Sequence, residues 1–191
     1  GDFDGDGDDD VVGCKYTSLI WYENDGLGTF TNPQVIVNGE GSMQSIYVSD
    51  LDQDNDLDIL TESNQNTNNS QVVWFRNDGL GNFSAKIIIS DQINRGHCVF
   101  AKDLDGDGDN DVLSASVSDD KVAWYQNDGN GNFGNQQIIS TTSNGASTVY
   151  ASDVDGDGDN DIIAGGALDN TISWYENLNG EGSFGFENII T

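Results

Sequence analysis

The chain has 191 residues, with 34 Asp and Glu against six Lys and Arg and a formal net charge of −28 at pH 7. A surface this negative repels polyanions, which excludes charge-driven binding to nucleic acid or anionic membranes even if four divalent cations are added. No apolar run approaches the roughly eighteen residues a bilayer span requires, so no membrane insertion is expected.

The chain opens on an acidic loop in which Asp2, Asp4, Asp6, Asp8 and Asp10 put a carboxylate at every second position. The loop recurs at Asp50, Asp52, Asp54, Asp56 and Asp58, at Asp103, Asp105, Asp107, Asp109 and Asp111, and at Asp153, Asp155, Asp157, Asp159 and Asp161. These repeats, about fifty residues apart, define the organisation of the chain. Carboxylates crowded in this way repel one another unless water screens them or a cation sits among them. Calcium takes six to eight oxygens, and each loop offers the side chains of its first, third, fifth and ninth residues with the carbonyl of its seventh. One Ca2+ per loop, up to four, is the expected cofactor.

The EF-hand shares the opening of this loop but needs a glutamate at position twelve, where this chain has Gly13, Thr61, Ser114 and Ala164. Aliphatic pairs such as Val11-Val12 and Ile162-Ile163 follow directly, so the loops lead into strands rather than helices. In the second loop Gln53 and Asn55 replace glycines, which bears on its affinity but not on its ligand set.

After each loop comes a strand such as 161–165, a connection that is longest at 63–70, and a strand ending in a Trp-aromatic pair, such as 171–176. Trp21, Trp74, Trp124 and Trp174 then lead into turns such as Asn24-Asp25-Gly26-Leu27-Gly28, whose Asn, Asp and Gly accept left-handed conformations. A fourth strand follows at 30–37, 83–89, 133–139 and 184–190. Polar linkers lead to the next unit's first strand at 45–48, 98–101 and 148–151. The tryptophans recur at one place in every unit, which marks them as packing between units. Cys14 and Cys98 lie in apolar strand contexts two units apart and are expected to be buried free thiols. His97 reads as a solvated linker histidine, and no catalytic constellation is visible.

Four-stranded antiparallel units of this length, without helical periodicity, predict an all-β fold, a β-propeller with repeats 1–44, 45–97, 98–147 and 148–191. The first unit lacks its first strand and the chain opens on Gly1 rather than Met. Part of a seven- or eight-bladed ring is therefore expected, with further blades of the same parent chain beyond it.

The Asp-rich loop before an aliphatic strand, with Ile162-Ile-Ala-Gly-Gly-Ala167 after the last copy, resembles the FG-GAP repeat of integrin α-subunit propellers. The Trp-Tyr-x-Asn-Asp-Gly-x-Gly-x-Phe motif resembles the VCBS-type repeats of secreted bacterial surface proteins and the integrin-like fungal lectins. The resemblance implies calcium on the loop between the first and second strands of each blade. It also implies an extracellular, secreted or cell-surface module, bacterial in origin, that binds a protein or a carbohydrate ligand in adhesion without catalysing a reaction. The alternative it leaves open is the scaffold of a secreted polysaccharide-degrading enzyme, for which Arg76, Arg95 and His97 are the candidates.

Overall fold

The computed structural model describes residues 1–66 and 69–191 and is all β. Its strands form four antiparallel sheets in chain order, each strand bonded to its sequence neighbour. The first sheet is β1 (Val11–Lys15), β2 (Ser18–Asn24) and β3 (Phe30–Asn38). The second is β4 (Ile46–Ser49), β5 (Asp58–Asn66), β6 (Asn69–Phe75) and β7 (Ile87–Ile93). The third is β8 (Gly96–Lys102), β9 (Asp111–Ser116), β10 (Lys121–Tyr125) and β11 (Gln137–Ser140). The fourth is β12 (Ala146–Ser152), β13 (Asp161–Gly166), β14 (Thr171–Tyr175) and β15 (Asn188–Ile189). Turn chemistry sets these meanders. Asp120 and Asn170 take φ of 54° and 57° between β9 and β10 and between β13 and β14, a left-handed conformation that short polar side chains tolerate.

The core is divided among the junctions between consecutive sheets. Phe3, Leu19 and Trp21 meet Ile59, Val73 and Phe75 at the first junction. Leu51, Leu60 and Trp74 meet Val112 and Tyr125 at the second, and Leu104, Leu113 and Trp124 meet Ile162 and Tyr175 at the third. A strand covered on both faces has no solvent side to keep polar, so β9 is buried along its whole length instead of alternating.

Each junction is closed in the same way. The Trp ring of one sheet takes the edge of a Phe from the next sheet's hairpin, with centroids 6.3 Å apart for Trp21 and Phe83, 6.2 Å for Trp74 and Phe133, and 6.1 Å for Trp124 and Phe184. This bears out the expected packing between units. The second glycine of the hairpin lies flat on the same indole: a Cβ on Gly81 would fall 2.4 Å from Trp21 Cη2, so only glycine fits there. On the first strands of the last three sheets Tyr47, Phe100 and Tyr150 form a column with centroids 4.6 and 4.7 Å apart, which ties β4, β8 and β12 together.

Several sequence expectations are corrected. In the last three units the fourth strand does not start at the hairpin Phe. Phe83, Phe133 and Phe184 make only isolated bridges, and regular pairing begins at Ile87, Gln137 and Asn188. The intervening chain bends because the Phe turns onto the neighbouring Trp rather than staying in its own ladder. The expected connection at 63–70 is in part a continuation of the hairpin, with Ser63 paired to Gln71 and Asn64 to Ser70; residues 67 and 68 of it lie outside the described residues. His97 is on strand β8, half-buried, with Nδ1 2.8 Å from the Ser147 carbonyl. Both cysteines are free, but Cys14 is exposed and Cys98 half-buried, with its Sγ 3.7 Å from the Val149 carbonyl of the next sheet.

Glu62 is the one wholly buried carboxyl of the strand interiors among the described residues. It stands opposite Val72, where the other sheets place Cys14, Ala115 and Gly165. Its Oε1 accepts the backbone N–H groups of Gln44 and Ser45, and its Oε2 has no partner. Burial, only partly offset by those donors, pushes its carboxyl up from 4.5 to about 7. The unfolded chain thus ionises this group first. Its contribution to stability is full below pH 4.5 and is lost as pH rises to about 7, a change on the order of 3 kcal/mol. Glu62→Gln, which keeps the shape and removes the charge, is expected to gain stability over the parent between pH 5 and pH 8 in thermal melts. A constant difference across that range would show that Glu62 does not titrate in the fold.

Candidate metal centres

Each acidic loop is held by hydrogen bonds from its own backbone. The first Asp caps the turn: Asp103 Oδ1 accepts Gly106 N–H at 2.7 Å and Oδ2 accepts Gly108 N–H at 3.1 Å, and Asp2 and Asp153 repeat the pattern. The fifth Asp accepts the N–H of the seventh residue, at 2.9 Å for Asp6, 3.0 Å for Asp54 and Asp107, and 2.9 Å for Asp157. The ninth Asp closes the loop and fastens it to the hairpin of its own sheet. Asp111 Oδ2 accepts Leu104 N–H at 3.0 Å while its Oδ1 accepts Asn127 N–H at 2.8 Å; Asp10, Asp58 and Asp161 do the same.

This scaffold leaves the carboxylates converging. One oxygen from each of Asp50, Asp52 and Asp58 lies within 4.8 Å of the others, as do those of Asp103, Asp105 and Asp111 and of Asp153, Asp155 and Asp161. In the first loop the converging set is Asp2, Asp4 and Asp6. Each set could hold a divalent cation such as Ca2+. The seventh residues are aimed elsewhere: Asp8, Asp56, Asp109 and Asp159 lay their carboxylates against the first hairpin glycine, which leaves their backbone carbonyls as the groups available for the loop.

The electrostatics of the loops fit a bound cation. Burial pushes the Asp58 and Asp111 carboxyls up to about 7, despite two N–H donors on each, and neighbouring loop carboxylates add to the rise. Desolvation and like charges likewise raise Asp4, Asp52, Asp105 and Asp155. In the second loop the Oδ1 atoms of Asp50 and Asp52 are buried without a hydrogen-bond partner. A carboxylate oxygen in that position is costly unless a positive charge reaches it. The second loop also keeps its shape without glycines, since Gln53 and Asn55 adopt φ of 58° and 72°, the left-handed region that glycine occupies in the other loops.

The loops also join neighbouring sheets. The carbonyl of the second loop residue accepts Nδ2–H of the next sheet's hairpin Asn, from Asn77 to Phe3 at 2.8 Å, Asn127 to Leu51 at 2.7 Å and Asn177 to Leu104 at 2.8 Å. Asn110 and Asn160 reach back to the Asp50 and Asp103 carbonyls of the preceding loop. Order in the loops is therefore order at the junctions. Calcium is expected to raise the melting temperature and EDTA to lower it, the ion adding about 2.7 kcal/mol of stability per site at ~100-fold excess over Kd. Asp111→Ala, which strips two backbone donors of their acceptor, is expected to lower stability with or without calcium. A melting temperature indifferent to calcium would show that the converging carboxylates hold no ion.

No curated protein matches the chain in sequence. Among solved structures, it is similar to an Agrocybe aegerita lectin whose description is the specific recognition of non-reducing terminal N-acetylglucosamine, with a TM-score of 0.69 and 23% identity. The alignment covers 100% of this chain and 50% of the lectin, so this chain spans about half its length. The FG-GAP-like repeat model matches residues 2–61, 63–114 and 103–164, each span carrying at least one of the acidic loops or the strand and hairpin that a loop is fastened to. With most of the chain matched in this way, the protein belongs to the FG-GAP-like repeat family.

Proposed function

We propose that this chain is a calcium-stabilised, non-catalytic binding module of the extracellular space, secreted or on the cell surface, whose sheets are blades of a β-propeller and whose ligand is a carbohydrate. The observation that carries the reading is the set of four carboxylate clusters, each built into a loop that also joins neighbouring sheets. An ion there acts on the scaffold, and carboxylates turned toward it are withdrawn from acid-base chemistry. His97 donates through Nδ1 to the Ser147 carbonyl, a bond that fixes its ring on strand β8 and joins it to no loop carboxylate.

The propeller arrangement is supported by the repetition of one junction. Units related by the same Trp–Phe and Asn–carbonyl contacts propagate about a common axis, and the outermost faces carry unmatched halves of that junction. Val154 is 44% exposed where Phe3, Leu51 and Leu104 are buried, and Phe30 is 47% exposed where its counterparts cover a Trp. A further blade of the same kind fits either face, with the repeats at 1–44, 45–97, 98–147 and 148–191.

The carbohydrate reading is supported by the likeness to the lectin, which recognises non-reducing terminal N-acetylglucosamine. Polar turns rich in Asn and Asp, set on a calcium-ordered scaffold, suit hydrogen bonding to sugar hydroxyls. The test is an array of immobilised glycans probed with the calcium-loaded chain. Retention on glycans with terminal N-acetylglucosamine, lost with EDTA, is the expected result. A folded, calcium-loaded chain that retains no glycan would overturn the carbohydrate reading, and release of new sugar ends from a polysaccharide would overturn the non-catalytic one.

A further inference from the structure

The residue after the Trp-aromatic pair differs in charge from unit to unit: it is Glu23, Arg76, Gln126 and Glu176. The sheet register makes these positions equivalent, because the preceding aromatic pairs with the first residue after each loop, Tyr22 with Val11, Phe75 with Ile59, Tyr125 with Val112 and Tyr175 with Ile162. The position therefore stands at the mouth of its own unit's loop. Gln126 shows what it reaches, since its Nε2 donates to Asp105 Oδ2 of the third loop. In the second unit Arg76 reaches the same place with a full positive charge. Its Nε lies 2.6 Å from Asp52 Oδ2 and its Nη2 3.0 Å from Asp54 Oδ2.

We propose that Arg76 is a built-in cation of the second loop, which makes that loop the weakest of the four divalent-cation sites and keeps it folded when the metal is withdrawn. The inference rests on the calcium reading given above and adds a ranking to it. A guanidinium held against the third and fifth carboxylates repels an incoming divalent ion and takes up oxygens the ion would use. The site is weakened but not closed: the Asp52 side chain is 5% exposed, and its Oδ1, like that of Asp50, remains buried and unpartnered. In the first and fourth units the same position carries a carboxylate, which adds to the attraction for the ion, and the third unit is neutral. The predicted order of affinity is the first and fourth loops, then the third, then the second.

The second loop also has a fastening that replaces the metal. Gln53 donates through Nε2 to the Gly108 carbonyl and to Asp109 Oδ1 of the third loop, so a side chain ties the two loops where other units have glycine. With Arg76 neutralising it from within and Gln53 anchoring it from outside, the second loop depends least on an ion for its shape.

The test is a calcium titration of the metal-free full chain, followed by calorimetry and by backbone amide shifts of each loop. Residues 50–58 are expected to saturate last, at a calcium concentration roughly tenfold or more above the others. Arg76→Gln, which installs the residue of the third unit, should bring that loop into line with the third, and Arg76→Glu with the first and fourth. In EDTA, amides of residues 50–58 should exchange more slowly than those of the other loops in the parent, and faster in Arg76→Gln than in the parent. Simultaneous saturation of all four loops in the parent, or a weak second loop unmoved by both substitutions, would overturn the role of Arg76 while leaving the calcium reading intact. Absence of calcium uptake at every loop would overturn both. The parent titration alone decides the ranking should either variant fail to fold.

Discussion

The carboxylate of the ninth loop residue is the constraint on which the rest of the structure depends. One of its oxygens closes the acidic loop and the other accepts the N–H of the hairpin Asn, so that Asp10, Asp58, Asp111 and Asp161 each hold two distant segments of a unit together. The same Asn then donates its side-chain amide to the neighbouring loop in the last three units. A charge that would be expensive to bury is thereby placed where two donors offset part of its cost, and where a cation can offset more.

This coupling explains why the hairpin sequence is as strict as the loop sequence. Its Asn serves two loops at once, its first glycine makes room for the seventh-residue carboxylate, and its second glycine lies on the neighbouring indole. The Phe that ends the motif leaves its own ladder to close the junction over that indole. The fourth strand therefore begins later than β-propensity alone suggests, a case of tertiary packing overriding local preference.

The units are not equivalent in electrostatics although they are equivalent in fold. Where the residue after the Trp-aromatic pair is Glu, Gln or Arg, the same scaffold carries a loop mouth of different net charge. Glu62 is a second local departure, a carboxyl buried where the other sheets place small or weakly polar groups, next to a glycine that gives it room. Such differences change both charge and side-chain bonding on a shared backbone frame: Arg76 pairs with Asp52 and Asp54, and Glu62 accepts the N–H groups of Gln44 and Ser45.

The repeating features were legible in the sequence because each is written several times with local spacing: the alternating Asp loops, the Trp-aromatic pairs, the Asn-Asp-Gly turns, the aliphatic strands and the packing role of Trp21, Trp74 and Trp124. What occurs once has no such redundancy. The pairing of Arg76 with Asp52, the bond of His97 to Ser147, the exposure of Cys14 and the burial of Glu62 depend on where a neighbouring strand brings a partner or fails to. The column of Tyr47, Phe100 and Tyr150 does recur, but at positions whose contact is visible only once β4, β8 and β12 lie side by side. Convergence of carboxylates is likewise a matter of backbone curvature, which turns the first, third and ninth side chains together in three loops and the first, third and fifth in the other. Spacing along a chain determines which residues are available to a loop; the path of the backbone through space decides which of their oxygens meet.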